Sequence, residues 1–193
     1  YIKEAQYSKY RDLALSSPNT QYGKGAEHWV REFCMKESLK DCLTHLKDDD
    51  IVVIGDVDEI ITPEILKIFD TDEVLKYQLQ VYCYYLNNRS NEVFYGPIIS
   101  KYKNIKNNVL NHLRQSEHFK VSFLSEGWHF TSLKDGLKRK LTDSYTKETY
   151  ANDWVMDNLD KNIAEDKDFL GRDFKYTVDE SEWPQYLKDN RRL

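Results

Sequence analysis

The chain contains little proline, glycine or cysteine. Its 193 residues include 4 Pro, 7 Gly and 3 Cys, without internal repeats or low-complexity tracts. No Pro- or Gly-rich stretch is long enough to read as a linker between domains. We therefore expect one domain spanning residues 1–193, a length that is usual for a single domain.

The three cysteines, Cys34, Cys42 and Cys83, do not form a disulfide pattern. Cys34 and Cys42 lie on one predicted helix, about 12 Å apart and too far to bridge. An odd count of this kind indicates reduced thiols and a cytoplasmic compartment. The sequence also lacks a signal peptide and any apolar run near the roughly 18 residues of a membrane span. Because the chain opens at Tyr1 rather than at a methionine, we expect an N-terminal truncation.

An excess of basic charge is also missing. There are 28 basic and 33 acidic side chains, and the formal net charge is −5. With no basic stripe, nucleic acid is excluded as an expected partner. An acidic protein that binds a diphosphate must supply local positive charge, either through a bound cation or through a few placed Arg and Lys side chains.

Periodicity of the apolar residues predicts an α/β domain. The run Ile51–Ile54 is entirely β-branched, which is typical of a strand covered on both faces, as in a parallel sheet. Thr62 and Pro63 are expected to cap and begin a helix that ends at Phe69. The other predicted elements are a loop at 12–25, helices at 27–46, 133–145 and 151–164, strands at 74–86, 92–100 and 119–124, and an irregular tail.

Two carboxylates, Asp56 and Asp58, follow the strand 51–54. Open α/β domains bind ligands at the carboxyl ends of their strands. Alternate residues of an extended segment point the same way, so both carboxylates are expected to converge on one site. A cation would relieve their repulsion, and Mn²⁺ or Mg²⁺ suits oxygen ligands and leaves positions for phosphate. Gly55 would let a ligand approach the backbone closely.

Two other interpretations of this segment stay open. One is a solvated acidic turn after a strand. The other is a phosphatase of the haloacid dehalogenase type, in which the first Asp is the nucleophile. Those enzymes typically have Thr or Val at the position of Ile60, and they need a later Lys and a second acidic pair that this sequence does not provide.

A second motif, Gly127-Trp128-His129-Phe130-Thr131, is expected to follow the predicted strand 119–124. His129 could be a neutral imidazole ligand to the same cation, and Trp128 a wall for a sugar ring. The alternative is a packed tryptophan beside a hydrogen-bonded histidine.

Together these motifs resemble glycosyltransferase family 17, whose animal members add bisecting N-acetylglucosamine to N-glycans. The resemblance covers most of the chain. It is carried by Glu27–Glu32, Lys47–Ile60, Tyr95-Gly96-Pro97, Arg114, Gly127–Thr131, Lys140-Leu141, Gly171-Arg172 and Trp183–Leu187.

The resemblance implies a GT-A-like nucleotide-sugar-binding fold, with a mixed, mostly parallel central sheet flanked by helices. The first strand of such folds would precede Tyr1, so the domain is either truncated or begins differently. The implied reaction moves N-acetylglucosamine or another hexose from a UDP-sugar to a glycan or glycoprotein acceptor, with inversion.

The resemblance also implies roles for individual residues. Asp56, Asp58 and His129 would hold the metal, and Val57, Arg31 and Trp128 would join the two aspartates in binding the donor, with Arg114 as a further candidate. Glu148 and Glu126 are the candidates for the catalytic base, because an inverting enzyme must deprotonate its acceptor. The competing hypothesis from another functional class is a non-catalytic carbohydrate- or nucleotide-sugar-binding module with the same fold.

Overall fold

A computed structural model describes residues 4–16, 27–115, 120–122, 127–143, 150–181 and 183–190. Its helices are α1 (Glu4–Leu15), α2 (Glu27–Glu37), α3 (Glu64–Ile68), α4 (Tyr102–Lys106), α5 (Leu110–Gln115), α6 (Lys134–Asp143), α7 (Asp153–Ala164) and α8 (Gln185–Asp189). Its strands are β1 (Ile51–Ile54), β2 (Glu59–Ile61), β3 (Leu75–Tyr84), β4 (Asn88–Lys101), β5 (Lys120–Ser122), β6 (Gly127–Leu133) and β7 (Tyr176–Val178). None of the described helices is long and apolar enough to cross a membrane.

The chain divides into two compact units, and β3 and β4 contribute residues to both. Unit 1 comprises Tyr1–Asp56, Pro63–Tyr77 and Gly96–Phe123. Unit 2 comprises Val57–Thr62, Gln78–Tyr95 and Leu124–Leu193.

The α1 helix in unit 1 corrects the expected loop at 12–25. Tyr7, Tyr10 and Ala14 recur at helical spacing and are buried with Val30 and Phe33 of α2. Residues 12–15 are therefore helical, because Ala14 packs against a neighbouring helix, and 17–25 lie outside the described residues.

The α2 helix is shorter than the expected 27–46. At Ser38 the chain tightens into a 3-10 helix, Ser38–Cys42, and the Ser38 hydroxyl donates to the Met35 carbonyl at 2.7 Å. Such local side-chain bonding offers the backbone an alternative to the α-helical ladder.

Strand β1 pairs antiparallel with the second half of β4, Ile51 opposite Lys101 and Ile54 opposite Ile98. Only Val52 and Ile54 are buried, whereas Ile51 and Val53 are exposed. The expectation of a parallel strand covered on both faces was wrong, because a wholly β-branched run also suits a strand with one solvated face. The helix expected at 62–69 is confirmed as α3, but Pro63 rather than Thr62 occupies the cap position.

The sheet pairings confirm a mixed architecture. Strand β3 pairs parallel with β5 and with β6, whereas β1–β4, β2–β6 and β4–β7 are antiparallel. The expectation of a mostly parallel sheet is therefore not met among these five pairings. The Gly-Trp-His motif follows strand β5, as expected, and itself begins a further strand, β6. The expected irregular tail contains β7 and α8.

In unit 2, helices α6 and α7 cover the second half of β3. Leu137 and Leu141 of α6 and Leu159 of α7 join Val81 and Cys83 in one buried cluster. These leucines recur at a spacing of four residues, which gives each helix one apolar face.

A buried carboxylate, Asp168, organises the segment after α7. It is 1 % exposed and accepts hydrogen bonds from the backbone of Leu170 and Arg172, from the Arg172 guanidinium and from the Tyr176 hydroxyl. Burial opposes ionisation, but the bonds from Arg172 prevail and lower the pKa of Asp168. One side chain thus anchors the chain between α7 and β7.

We expect Asp168→Asn to lower the free energy of unfolding at pH 7 by about 3 kcal/mol, since it leaves Arg172 without its buried counterion. Because the folded-state pKa is lowered, the ionic contribution is complete above about pH 4 and is lost as the pH falls further. The difference in the free energy of unfolding between the parent and Asp168→Asn should therefore become smaller in acid. Urea unfolding at several pH values measures this difference.

The control is Asp12→Asn, which removes an exposed pair with Arg11 at 3.9 Å and should change the free energy of unfolding little. Equal effects of the two variants would contradict the assigned role.

Candidate active site

Asp56, the first predicted ligand, lies in unit 1 just after β1 and faces two cations. Its carboxylate accepts from Arg114 Nη1 at 2.8 Å and Nη2 at 3.4 Å. Lys36 Nζ lies 3.7 Å from Asp56 Oδ2 and 2.5 Å from Glu32. Arg114 is on helix α5. This forked pairing fixes the Asp56 carboxylate in one orientation.

Asp58, the second predicted ligand, belongs to unit 2 and is positioned by the pairing of β2 with β6. Glu59 lies opposite His129 and Ile60 opposite Trp128. The Asp58 carbonyl accepts from the Phe130 amide at 3.1 Å. This register brings Asp58 Oδ2 to 3.6 Å from His129 Nε2. The two short motifs of the sequence are therefore neighbours through backbone hydrogen bonds.

His129 is largely buried, and its ring packs against an aromatic side chain. The side chain is 12 % exposed and the imidazole lies against the Phe94 ring with centroids 4.1 Å apart. Its Nδ1 is buried, and no described residue forms a hydrogen bond with it. Burying such an atom without a partner costs about 1–3 kcal/mol of folding free energy. A histidine at this position therefore indicates a role in the site other than stabilising the fold.

The ionisation of Asp58 is set by opposing effects. Burial disfavours the charged form, but interaction with His129, aided by Lys140, outweighs it and lowers the pKa of Asp58. The carboxylate is therefore anionic near neutral pH, as a ligand for a cation must be.

A cavity of about 240 Å³ opens beside His129 within unit 2. Its polar walls are Glu92, Lys140 and Arg172, and Phe94 and Tyr150 supply apolar walls. Burial raises the pKa of Glu92, partly offset by Arg172, whose Nη1 lies 3.6 Å away. The cavity thus holds a carboxylate that takes up a proton more readily than an exposed one.

Cys83 also lines this cavity. Burial, with the charges of Glu92 and Asp168, raises the pKa of its thiol to about 12. The thiol stays protonated at neutral pH and is a poor nucleophile, since thiolate is the reactive form.

The spacing of Asp58 and His129 fits two ligands of one ion. Ligand atoms about 2.1 Å from a shared cation lie roughly 3–3.5 Å apart, close to the observed 3.6 Å. Among the described residues, however, no group of three or more His, Cys, Asp or Glu side chains is placed to hold a metal. The protein would supply two ligands in unit 2, and water or substrate oxygens the rest.

The other predicted site residues fall in several places. The Arg31 guanidinium lies over the Tyr7 ring at 4.8 Å. The cations beside Asp56 are instead Arg114 and Lys36. Val57 is fully exposed. Trp128 is half-buried on β6. Both base candidates, Glu126 and Glu148, lie outside the described residues.

Lys36 and Glu92 were missed by reasoning from the sequence. Lys36 follows Glu32 at i,i+4 on α2, a spacing that indicates only a surface ion pair. Glu92 falls in a strand whose alternation gives no sign of a cavity. The pairing of β3 with β6 and the packing of α6 create that cavity, and neither could be read from local sequence.

Gly127 is required where β2 and β6 meet. A Cβ there would lie 2.3 Å from the Ile60 carbonyl oxygen and 2.6 Å from Leu79 Cδ2. We expect Gly127→Ala to lower the free energy of unfolding by about 3 kcal/mol, the upper range for overpacking, because a backbone atom cannot yield easily. Chemical denaturation measures the loss.

The matched control is Gly136→Ala in α6, where a new Cβ meets nothing within 4 Å. Alanine there should raise stability by up to about 1 kcal/mol, since glycine is unfavourable inside a helix. If Gly127→Ala were as harmless as Gly136→Ala, the described contact of β2 with β6 would be wrong.

A comparison of the chain with models of protein families finds a known group. The family model described as glycosyltransferase family 17 matches residues 6–147, which is more than half of the chain and includes Asp58 and His129. No curated protein and no solved structure gives a significant match. The match supports an enzyme over a non-catalytic binding module and over a phosphatase. The chain belongs to glycosyltransferase family 17 and is a glycosyltransferase.

Proposed function

We propose that this glycosyltransferase moves a hexose, such as N-acetylglucosamine, from a UDP-sugar to a glycan or glycoprotein acceptor, with inversion and with the help of Mn²⁺ or Mg²⁺. The observation that carries the proposal is the approach of Asp58 to His129, held by the pairing of β2 with β6. An anionic carboxylate and an imidazole at ligand spacing fit a divalent cation.

Asp58 and His129 would hold the cation, which supplies electrostatic stabilisation to the leaving diphosphate. The pairing with β6 fixes Asp58 through its backbone, and Phe94 fixes the imidazole plane. Both side chains would then meet the donor in one orientation without reorganising. Lys140, exposed at the edge of the cavity, adds positive charge for phosphate oxygens.

The role of Asp56 as a metal ligand remains a prediction, as does that of Arg31 at the donor. Both oxygens of Asp56 interact with Arg114, and Lys36 lies close by. We propose that Arg114 and Lys36 fix the orientation of the Asp56 carboxylate within unit 1.

Glu92 is our candidate for the base that takes the acceptor proton. It lines the same cavity as His129, and burial raises its affinity for a proton. A carboxylate with a raised pKa accepts a hydroxyl proton better than one that is fully exposed. Glu92 would face the acceptor oxygen while Asp58 and His129 act at the leaving group.

We expect Asp58→Ala to abolish Mn²⁺-dependent binding of UDP-N-acetylglucosamine and other UDP-sugars, since it removes the charged ligand. Isothermal titration calorimetry with and without Mn²⁺ measures the binding. The control is Asp157→Ala, an exposed aspartate of α7 that should bind as the parent does. Undiminished Mn²⁺-dependent binding by a folded Asp58→Ala variant would remove the proposed cation site.

For Glu92→Gln we expect kcat to fall roughly 10²–10⁴-fold while the donor dissociation constant stays unchanged, because the amide cannot accept the proton. Sugar transfer under saturating donor measures the first quantity and calorimetry the second. Glu64→Gln, an exposed glutamate 3.9 Å from Lys67, is the matched control. A Glu92→Gln variant that turns over at the parental rate would exclude Glu92 as the base.

A further inference from the structure

A second pocket of unit 2 lies over helix α7, and its described lining includes Gly171 and Arg172 but neither Asp58 nor His129. Its volume is about 460 Å³, within the range of small-molecule sites. Trp154, Asn158 and Asn162 line it, spaced four residues apart along one stripe of α7. The neighbouring stripe of Val155, Leu159 and Ile163 packs into the core, so the helix is held while the polar stripe faces the pocket.

Trp154 offers a braced aromatic surface. It is 50 % exposed, yet Gly171 lies against its ring, where a Cβ would come within 2.6 Å of Trp154 Cη2. Gly171 has φ +77°, a conformation that glycine adopts without strain. The Asp168 carbonyl holds this turn by accepting from the Gly171 amide at 2.9 Å. Gly171 therefore packs against the indole, while half of the Trp154 surface stays exposed to solvent.

Asn162 provides an unused hydrogen-bond donor in the same pocket. Its side chain is 7 % exposed, and its Nδ2 is buried with no acceptor among the described residues. Leaving a buried amide unpaired lowers the stability of the fold, and a leucine of similar shape would avoid that loss. An asparagine at this position therefore lowers stability and keeps a hydrogen-bond donor for a ligand.

The charges around the pocket favour a neutral ligand. Arg172 is neutralised by Asp168 at 2.7 Å, and Lys167 by Glu165 at 2.6 Å. The other charged side chains of the lining, Lys161 and Asp173, carry opposite charges. A pyranose ring presents C–H groups on one face and hydroxyls at its rim, which suits an aromatic surface beside an amide. Arg172 also lines the cavity that contains His129 and Glu92, so the two spaces adjoin.

We propose that the pocket of Trp154 and Asn162 binds one pyranose ring of the acceptor glycan, stacked on the indole and hydrogen-bonded by the Asn162 amide. Its assignment to the acceptor rests on the proposed function, whereas its ability to bind sugar does not. The bound ring would direct a neighbouring hydroxyl toward the adjoining cavity.

The test is binding of the full chain to an array of β-linked disaccharides of glucose, galactose, mannose and N-acetylglucosamine, without nucleotide or metal. We expect the parent to bind at least one glycan and Trp154→Ala to bind it roughly tenfold more weakly, the scale of one aromatic stacking contact. Tyr186→Ala, which removes another exposed aromatic side chain of unit 2, should bind as the parent does.

Asn162→Leu separates a binding role from a structural one. It should weaken the same glycan while leaving the melting temperature unchanged or higher. Trp154→Phe, which keeps an aromatic ring, should retain part of the binding if Trp154→Ala does not fold. No glycan bound by the parent, or equal binding by parent and folded Trp154→Ala, would overturn the proposal.

The same set of proteins distinguishes the two proposals. If the parent protein binds no UDP-sugar in calorimetry but binds a glycan in a way that depends on Trp154, the proposed function is wrong and the sugar site stands. If the parent protein binds the UDP-sugar but Trp154→Ala does not change glycan binding, only the sugar-site proposal is wrong.

Discussion

The antiparallel pairing of β2 with β6 is the interaction on which the candidate site depends. Three residue pairs, from Glu59 with His129 to Ile61 with Gly127, bring together segments about 70 positions apart in the chain. The close approach requires a glycine at position 127. Because side chains alternate along a strand, a shift of one residue would turn His129 away from Asp58. Glu59 and Ile60, the motif residues beyond the acidic pair, take part in this pairing through their backbones.

Unit 2 buries several polar groups that lower its stability. His129 Nδ1 and Asn162 Nδ2 are buried without a partner among the described residues, and Glu92 is partly buried as a carboxylate. Asp168, by contrast, has its oxygens fully engaged by Arg172, Tyr176 and backbone amides. The satisfied carboxylate holds the scaffold, and the unsatisfied groups line the spaces where ligands are proposed to bind.

Reasoning from the sequence succeeded where local patterns and tertiary packing agree. The strands at 51–54, 74–86 and 92–100 and the helices at 133–145 and 151–164 are found within a few residues, because each has a clear apolar period. The helix α1 was missed because its buried residues, Tyr7, Tyr10 and Ala14, give a weak apolar stripe that only packing against α2 completes. Of the site, Asp58 and His129 were identified as neighbours, since their motifs are distinctive. Glu92 depends on packing between distant segments, so no local pattern marks it. The pocket on α7 lies within residues 154–174, but it forms only because the chain after α7 folds back over that helix, which the sequence pattern does not show.

The different surroundings of Asp56 and Asp58 follow from the backbone between them. Alternation predicts that residues two apart face the same way, but it holds only while the chain is extended. Strand β1 ends at Ile54 and the chain turns at residues 57–58 before β2 begins. The two carboxylates therefore acquire different partners: Asp56 takes the guanidinium of Arg114, and Asp58 takes the imidazole of His129. A bidentate arginine stabilises one fixed carboxylate orientation, whereas an imidazole at 3.6 Å leaves room for an ion between the pair. Of the two aspartates, Asp58 thus has the surroundings better suited to a metal ligand.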